Sequence, residues 1–421
     1  MIATDVFTAP GRDRIAAHAM ARPVVFLMLV YAVSRVCALG AMAFAAHYFQ
    51  TPAGVGHLHP QLGDMFSLWD SVWYHRVAVD GYPIPLPADP DTGRLTYSAW
   101  AFYPVFPLAV RGLMALGLPF LPAAIALNVV FGALGTLFVW RVFRFPSHAA
   151  PQPARERLAL MAAALWCFYP ATAILLMPYT EAIAITLIAG ALLLLMRRRY
   201  ASAAVVALVL GFTRAVAPAL GCAVAAHLWV RWREDRAAGM APLRGQRASA
   251  GLLVGATAVS ALSWPAYVGI ATGLPTAFFQ VQAAWGQRPD KGPFVLWMQW
   301  AWERHGFFSV AVMLALVGTY LALVLGRHGR WLPLEVRYFA LAYPLYLFAV
   351  VRPITSMWRF LLLDFPIAAL LASVAMRTSS GARVVRHWRR RVAVIILPLV
   401  AGMVWWTATL LTYTPWGATP P

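Results

Sequence analysis

Residues 23–46 read PVVFLMLVYAVSRVCALGAMAFAA, a run with one charge, Arg35, and no acid. As a helix rising about 1.5 Å per residue it is long enough to cross the roughly 30 Å hydrocarbon core of a bilayer. Arg12, Arg14 and Arg22 precede it. The run is too long for the apolar core of a signal peptide, and no small-residue cleavage site ends it, so it is expected to remain as an anchor.

The rest of the chain follows the same grammar. Of its 421 residues 61% are hydrophobic and only 12% charged, against about 45–50% and about 25% in soluble domains. That excludes two or three soluble domains in series, since apolar surface on this scale needs lipid as its solvent. Further apolar runs lie at about 121–143, 158–177, 179–196, 201–213, 215–230, 250–272, 306–326, 334–351, 358–376 and 392–412. With the first they make eleven expected spans. The expected fold is an all-α polytopic membrane protein, one integral membrane domain over 1–421. The weaker run 100–117 holds Arg111 and several prolines and reads as an interfacial helix. The runs 201–213 and 215–230 are short, and read as a broken hairpin around Arg214.

The formal charge is +19, and 33 of the 34 basic residues are arginine, Lys291 being the exception. Such a balance often suggests nucleic acid, but the distribution argues otherwise and no nucleic-acid partner is expected. Segments 1–22, 141–157, 197–199, 231–247, 327–337 and 377–391 hold 24 of the arginines. Alternating the spans puts all six on one side, which the positive-inside rule makes the cytoplasm. A multi-pass protein of the plasma membrane is expected, N-terminus cytoplasmic and C-terminus extracytoplasmic. Between 199 and 231 the short pair must then count as two spans or none.

Two long loops fall outside, 47–118 and 273–305. The first carries Asp64, Asp70, Asp80, Asp89 and Asp91, a third of all the acids. The second is rich in Trp and Gln. Loops with this chemistry exceed what a simple anchor needs. Cys37, Cys167 and Cys222 all lie in apolar runs and form neither a disulfide framework nor a zinc motif. There is no P-loop, GxGxxG or HExxH, and His57 and His59 lack a completing ligand set, so no metal is expected. The two halves do not match as inverted repeats.

Within the first loop, SLWDSVWYHRVAVDGYP has no Gly or Pro from 66 to 79 and is expected to form a short helix there. Trp69, Trp73 and Val77 then share one face, with Asp70 and Tyr74 beside them at i, i+4. Indoles at this density suit a membrane–water interface, holding Asp70 at headgroup depth. An amphipathic loop helix with a solvated Asp accounts for the pattern equally. AFYPVFPLAVRG (101–112) follows, with Tyr103 in a Pro-stiffened entry; its Arg111 reads as either snorkelling or anion-binding. Tyr169-Pro170 and Met177-Pro178-Tyr179-Thr180-Glu181 mark two breaks. Glu181 suits the positive end of the next helix, with or without a role in a site. Arg35 and Arg214 lie inside apolar runs, where each must find a partner, an ion pair or a bound phosphate. Arg352 and Arg359 are expected to face the outer headgroups. One placed carboxylate, several arginines at membrane depth and interfacial aromatics suit a lipid-phosphate leaving group, because the planar guanidinium fork matches phosphate and stays charged.

These residues resemble a known family. Trp69-Asp70-Ser71-Val72-Trp73-Tyr74, then Ala78, then Gly81-Tyr82, is similar to the WDxxWY…IA..GY signature of the glycosylphosphatidylinositol mannosyltransferase II family and its bacterial relatives. Ala101-Phe102-Tyr103-Pro104-Val105-Phe106-Pro107 resembles that family's AFFPLYP element, and Pro178-Tyr179-Thr180-Glu181 its PYSE element. Thr213-Arg214 resembles its TRPxG, with Ala215 in place of the proline. Gln282-Ala283-Ala284-Trp285-Gly286, and Arg359-Phe360 with Phe365-Pro366, also fit. The matches run in order from about 35 to 366.

The resemblance implies a GT-C class glycosyltransferase that takes mannose from a polyprenyl-phosphate donor at the outer membrane face, with inversion and no obligatory metal or other cofactor. It maps the catalytic Asp onto Asp70. A general base there would take the acceptor's proton, and Arg214, Arg359 and Arg35 are candidates to stabilise the departing lipid phosphate. Trp69, Trp73, Tyr74, Tyr103, Tyr179, Glu181 and Gln282 are candidate substrate contacts. The acceptor stays open among a lipid glycan, a cell-wall polymer and a protein hydroxyl. Two other classes stay open beside the enzyme: a transporter or flippase for a lipid-linked sugar, and a non-catalytic subunit of a lipid-modifying complex.

Overall fold

The computed structural model describes residues 22–146, 152–240, 244–287, 291–376 and 387–414. The terminal segments 1–21 and 415–421, on which the expected sidedness of the chain ends depends, lie outside the described residues, as does most of the arginine segment 377–391. The described residues are helical apart from loops and one isolated antiparallel bridge, Ala88 to Leu95.

Helix α1 (Pro23–Tyr48) opens on a proline, whose missing N–H costs nothing in a first helical turn. The first loop carries three short helices, α2 (Leu62–Met65), α3 (Asp70–Val79) and α4 (Val105–Met114). Its turn at Asp89–Arg94 closes on the Asp89 carboxylate, which accepts from Thr92 N–H, Thr92 Oγ1 and Asp91 N–H. Those donors, the Thr92 N–H foremost, hold the carboxyl below its ordinary value.

The main body comprises α5 (Phe120–Phe143), α6 (Gln152–Cys167), α7 (Glu181–Met196), α8 (Tyr200–Gly211), α9 (Ala217–Ala237), α10 (Arg244–Thr272), α13 (Phe307–Leu325), α14 (Leu334–Val350), α16 (Pro366–Met376) and α17 (Trp388–Trp406). Short α11 (Ala277–Ala284) and α12 (Val295–His305) occupy the second loop, and α15 (Met357–Leu361) precedes α16. Among the described residues five helices, α1, α5, α10, α13 and α17, are long and apolar enough to cross a membrane. A sixth arises if α6 is counted with the 3₁₀ turn Pro170–Leu176, bent 74° from it. This is compatible with a multi-pass membrane protein.

The eleven expected spans therefore correspond to helices of unequal reach. Proline and polar breaks cut the chain at 170, 212–216 and 362–366. What remains, such as α7 at about 24 Å and α8 at about 18 Å, is shorter than the bilayer core. Of these, α7 sits inside the bundle, buried almost throughout and packed on α5, α8, α9 and α14, whereas α8 keeps one face exposed at Val205, Leu208 and Val209. Helix α13 is the opposite case, apolar all round with most of its Phe, Leu and Val side chains exposed. Small residues set the closest approach. A Cβ on Gly211 of α8 would fall 2.7 Å from Ser260 Cα of α10, and Ser260 Oγ donates to Ala207 O at 2.8 Å.

The described parts of the arginine segments 141–157, 197–199, 231–247 and 327–337 lie at one end of the bundle. Arg144 pairs with Glu156 at 3.2 Å, and the Phe143 ring is 6.1 Å from that of Trp331. Tyr200 Oη is 3.0 Å from His227 Nε2, whose Nδ1 is 2.6 Å from Glu335 Oε1. His328 reaches Ser373 at 3.3 Å. The helices leaving this end run toward the one where α3, α15 and the start of α7 come together.

Candidate functional site

Helix α3 begins at Asp70, later than the sequence suggested, because Trp69 adopts φ 58°. The shift changes which face is used. Asp70, Ser71, Tyr74, Val77 and Ala78 turn inward. The indoles part company: Trp73 stacks on Phe102 at 5.7 Å, meets Trp285 edge-on at 5.5 Å and lies under the Arg76 guanidinium at 4.8 Å. Trp69 points elsewhere, to Tyr413 at 4.1 Å. Tyr74 packs edge-on to Phe102 and Phe106, each at 5.3 Å. Burial, with the negative charges of Asp70 and Glu181, pushes its phenol well above the ordinary value, so it stays neutral beside the carboxylate.

Four charged side chains from four separate segments form one chain of contacts. Asp70 Oδ2 is 2.7 Å from Arg359 Nη2. Arg359 Nη1 is 3.5 Å from Glu181 Oε1, and the same oxygen accepts from Arg214 Nη1 at 2.9 Å. Arg214 Nη1 also donates to Thr180 Oγ1 at 3.0 Å. Both guanidiniums lie over the Phe360 ring, at 4.8 Å for Arg214 and 5.0 Å for Arg359. The formal charges cancel. Glu181 is 0% exposed, whereas the Asp70 side chain keeps 13% and that of Arg214 15%. Glu181 is therefore the hub that lets two arginines approach each other, and Asp70 and Arg214 are the edges a substrate can reach.

Each member is fixed by its neighbours. Glu181 sits at the first turn of α7, where the helix dipole favours an anion. Tyr179, fully buried, accepts from the Asp70 N–H at 3.2 Å and carries the Arg359 guanidinium over its ring at 5.1 Å. The backbone of 177–179 is held in turn by Asn128 of α5, whose amide donates to Met177 O and, at 3.0 Å, to Tyr179 O.

Arg359 lies on a short helix, too short to satisfy all of its carbonyls from its own backbone. Alternate residues there are captured by side chains from other helices. Trp358 O accepts from Tyr169 Oη at 3.0 Å, Phe360 O from Tyr343 Oη at 2.9 Å and Leu362 O from Trp166 Nε1 at 3.0 Å. The Asp364 carboxylate accepts from Tyr320 Oη at 2.7 Å. Far from facing headgroups as expected, Arg359 is buried by this scaffold.

The structure thus brings together Asp70, Tyr74, Tyr179, Glu181, Arg214 and Arg359, and leaves others apart. Arg35 donates to Thr172 O and, at 3.1 Å, to Cys167 O, which caps the broken end of α6. Tyr103 packs on Trp264 and Phe278. Gln282 donates to Ala101 O at 3.3 Å, tying the second loop to the first. Arg352 is exposed and reaches Trp285 O at 3.4 Å, and Arg111 is exposed on α4. Sequence reasoning missed Asn128, Thr180, Tyr320 and Asp364. The signal for Asn128 and Asp364 was the one that flagged Arg214, a polar side chain inside an apolar run.

Among the described residues no three His, Cys, Asp or Glu side chains gather to hold a metal; His57 instead pairs with Asp64 at 3.0 Å. No protein-family model matches the chain, and no curated protein is similar to it.

Proposed function

We propose that this protein is an inverting membrane glycosyltransferase. It moves a hexose, mannose by the motif resemblance, from a polyprenyl-phosphate donor to an acceptor hydroxyl at the outer membrane face, in the manner of the GT-C class. The observation that carries the proposal is the Asp70–Arg359–Glu181–Arg214 chain, one reachable carboxylate backed by two arginines on a shared buried acid.

At rest the Asp70 carboxylate is neutralised by Arg359. A donor phosphate is a better partner for the guanidinium fork than a single carboxylate oxygen. The phosphate meets Arg214, the arginine a donor can reach, and the reachable edge of Asp70 accepts a proton. The acceptor oxygen then bonds to C1 of the sugar while the bond from C1 to the phosphate oxygen breaks. The proton passes to Asp70, and the polyprenyl phosphate leaves with the bonding pair. Arg359 and Arg214 stabilise that developing charge, and general-base assistance contributes on the order of 10²–10⁴-fold. Donor binding at Arg214 and base action at Asp70 are thus coupled through Glu181 and Arg359, which lie between them.

The test is purified protein with polyprenyl-phosphate carrying a labelled hexose. Wild type is expected to release label to an acceptor, and Asp70→Asn to lose at least about a hundredfold of that rate while still binding donor. Intact transfer by Asp70→Asn overturns the assignment. Movement of uncleaved donor across liposomes, with no release, would point to a flippase.

A further inference from the structure

Trp69, immediately before Asp70, is one of three non-glycine residues among those described with positive φ, at φ 58° and ψ −124°. A bulky side chain in this region costs about 1–3 kcal/mol and persists only where its surroundings over-determine it. Those surroundings come from the far end of the chain. Tyr413 stacks on the indole at 4.1 Å between centroids and 4° between planes. Trp69 Nε1 donates to Leu411 O at 2.7 Å. Leu411 closes a π-helical turn, Thr407–Leu411, that ends α17; as the last residue of the helix its carbonyl has no intrahelical donor and is free for the indole.

Tyr413 is itself held. Its carbonyl accepts from Thr51 N–H at 2.9 Å, and its N–H donates to Gln50 Oε1 at 3.1 Å. Its ring fills the space where Gly54 lacks a side chain: a Cβ there would fall 2.6 Å from Tyr413 Cδ2. The segment 411–413 is therefore anchored to the end of α1 and grips Trp69. Asp70 is one peptide further on, with its N–H on Tyr179 and its carboxylate on Arg359.

We propose that Tyr413 and the Leu411 carbonyl form a clamp that positions Asp70, holding Trp69 in its positive-φ conformation so that α3 starts with the carboxylate aimed at Arg359. Tyr413 acts through Trp69 and touches neither substrate nor the reacting atoms, so it is a positioning residue. The proposal rests on the glycosyltransferase reading for its kinetic consequence and on the geometry alone for its structural one.

Two readouts on the full-length protein in detergent separate them. Tyr413→Phe keeps the stack, and Tyr413→Leu removes it. Hydrogen exchange over residues 66–76 is expected to rise in Tyr413→Leu and to match wild type in Tyr413→Phe. Turnover of labelled polyprenyl-phosphate hexose is expected to fall about ten- to a hundredfold in Tyr413→Leu with donor KM unchanged, and to be restored in Tyr413→Phe. Unchanged exchange over 66–76 in Tyr413→Leu overturns the clamp. Raised exchange with unchanged turnover overturns its positioning role. If wild type transfers no sugar, the glycosyltransferase reading falls, and the clamp is decided by exchange alone.

Discussion

At the residue scale the decisive side chain is Glu181. A carboxylate that contacts substrate needs exposure, and Glu181 has none; its Oε1 accepts from both Arg214 and Arg359. Removing one partner of a buried pair leaves uncompensated charge and costs about 3–5 kcal/mol. Glu181→Gln is therefore expected to lower thermal stability by an amount of that order, because two guanidiniums then face Asp70 alone. The double variant Glu181→Gln, Arg214→Gln removes one charge of each sign and is expected to be less destabilised than Glu181→Gln by itself. Thermal unfolding in detergent, read for both variants, decides. If Glu181→Gln lost activity with its melting temperature unchanged, Glu181 would be a substrate contact and not the hub of the arginines.

At the element scale the site depends on irregular backbone: the strained start of α3, the turn at 177–180 and the short α15. Carbonyls in such segments must find donors, which explains the row of Tyr169, Tyr343 and Trp166 along residues 358–362, while Tyr320 meets the Asp364 carboxylate just beyond it. Trp166→Phe strands the Leu362 carbonyl and is expected to cost about 1–3 kcal/mol; Tyr343→Phe leaves Phe360 O with the Leu363 N–H at 3.1 Å and is expected to cost about 0.5–1.5 kcal/mol. Because both act on one five-residue helix and its exit, the double variant is expected to deviate from additivity, with faster exchange over 357–364. Additive effects confined to the two sites of substitution would mean that the row does not act as a unit. This scale is also where the sequence was hardest to read. Asp70, Arg214 and Arg359 stand out as charges beside apolar runs, but their mutual pairing depends on breaks at Pro170, Arg214 and Pro366 whose angles no periodicity encodes. Arg35 carries the same signature as Arg214, yet it is taken up by the carbonyls of Cys167 and Thr172. The rule that a charge at membrane depth must find a partner holds for both and does not say which partner. Trp69 misled for a related reason, since an uninterrupted helical pattern gives no sign of a positive φ imposed by a segment more than 340 residues away.

At the scale of the whole molecule the charges are sorted end to end. The described parts of arginine segments 141–157, 197–199, 231–247 and 327–337 converge through the Arg144–Glu156 pair, the Phe143–Trp331 contact and the Tyr200–His227–Glu335 contacts beside them. The chain of two acids and two arginines lies at the other end of the same helices, α7 running from Glu181 at one to Arg197 at the other. By the positive-inside rule the orientation we propose turns the arginine end to the cytoplasm and the site outward. Tyr97 is 57% exposed in the first loop, and Arg330 is exposed in an arginine segment. In a background with Cys37, Cys167 and Cys222 replaced by alanine, Tyr97→Cys is expected to react with a membrane-impermeant maleimide in intact cells. Arg330→Cys is expected to react only after permeabilisation. The converse pattern would turn Asp70 toward the cytoplasm, and the outer-face reaction would fall with it, because the carboxylate, its two arginines and the Tyr413 clamp share one end of the bundle and can only invert together.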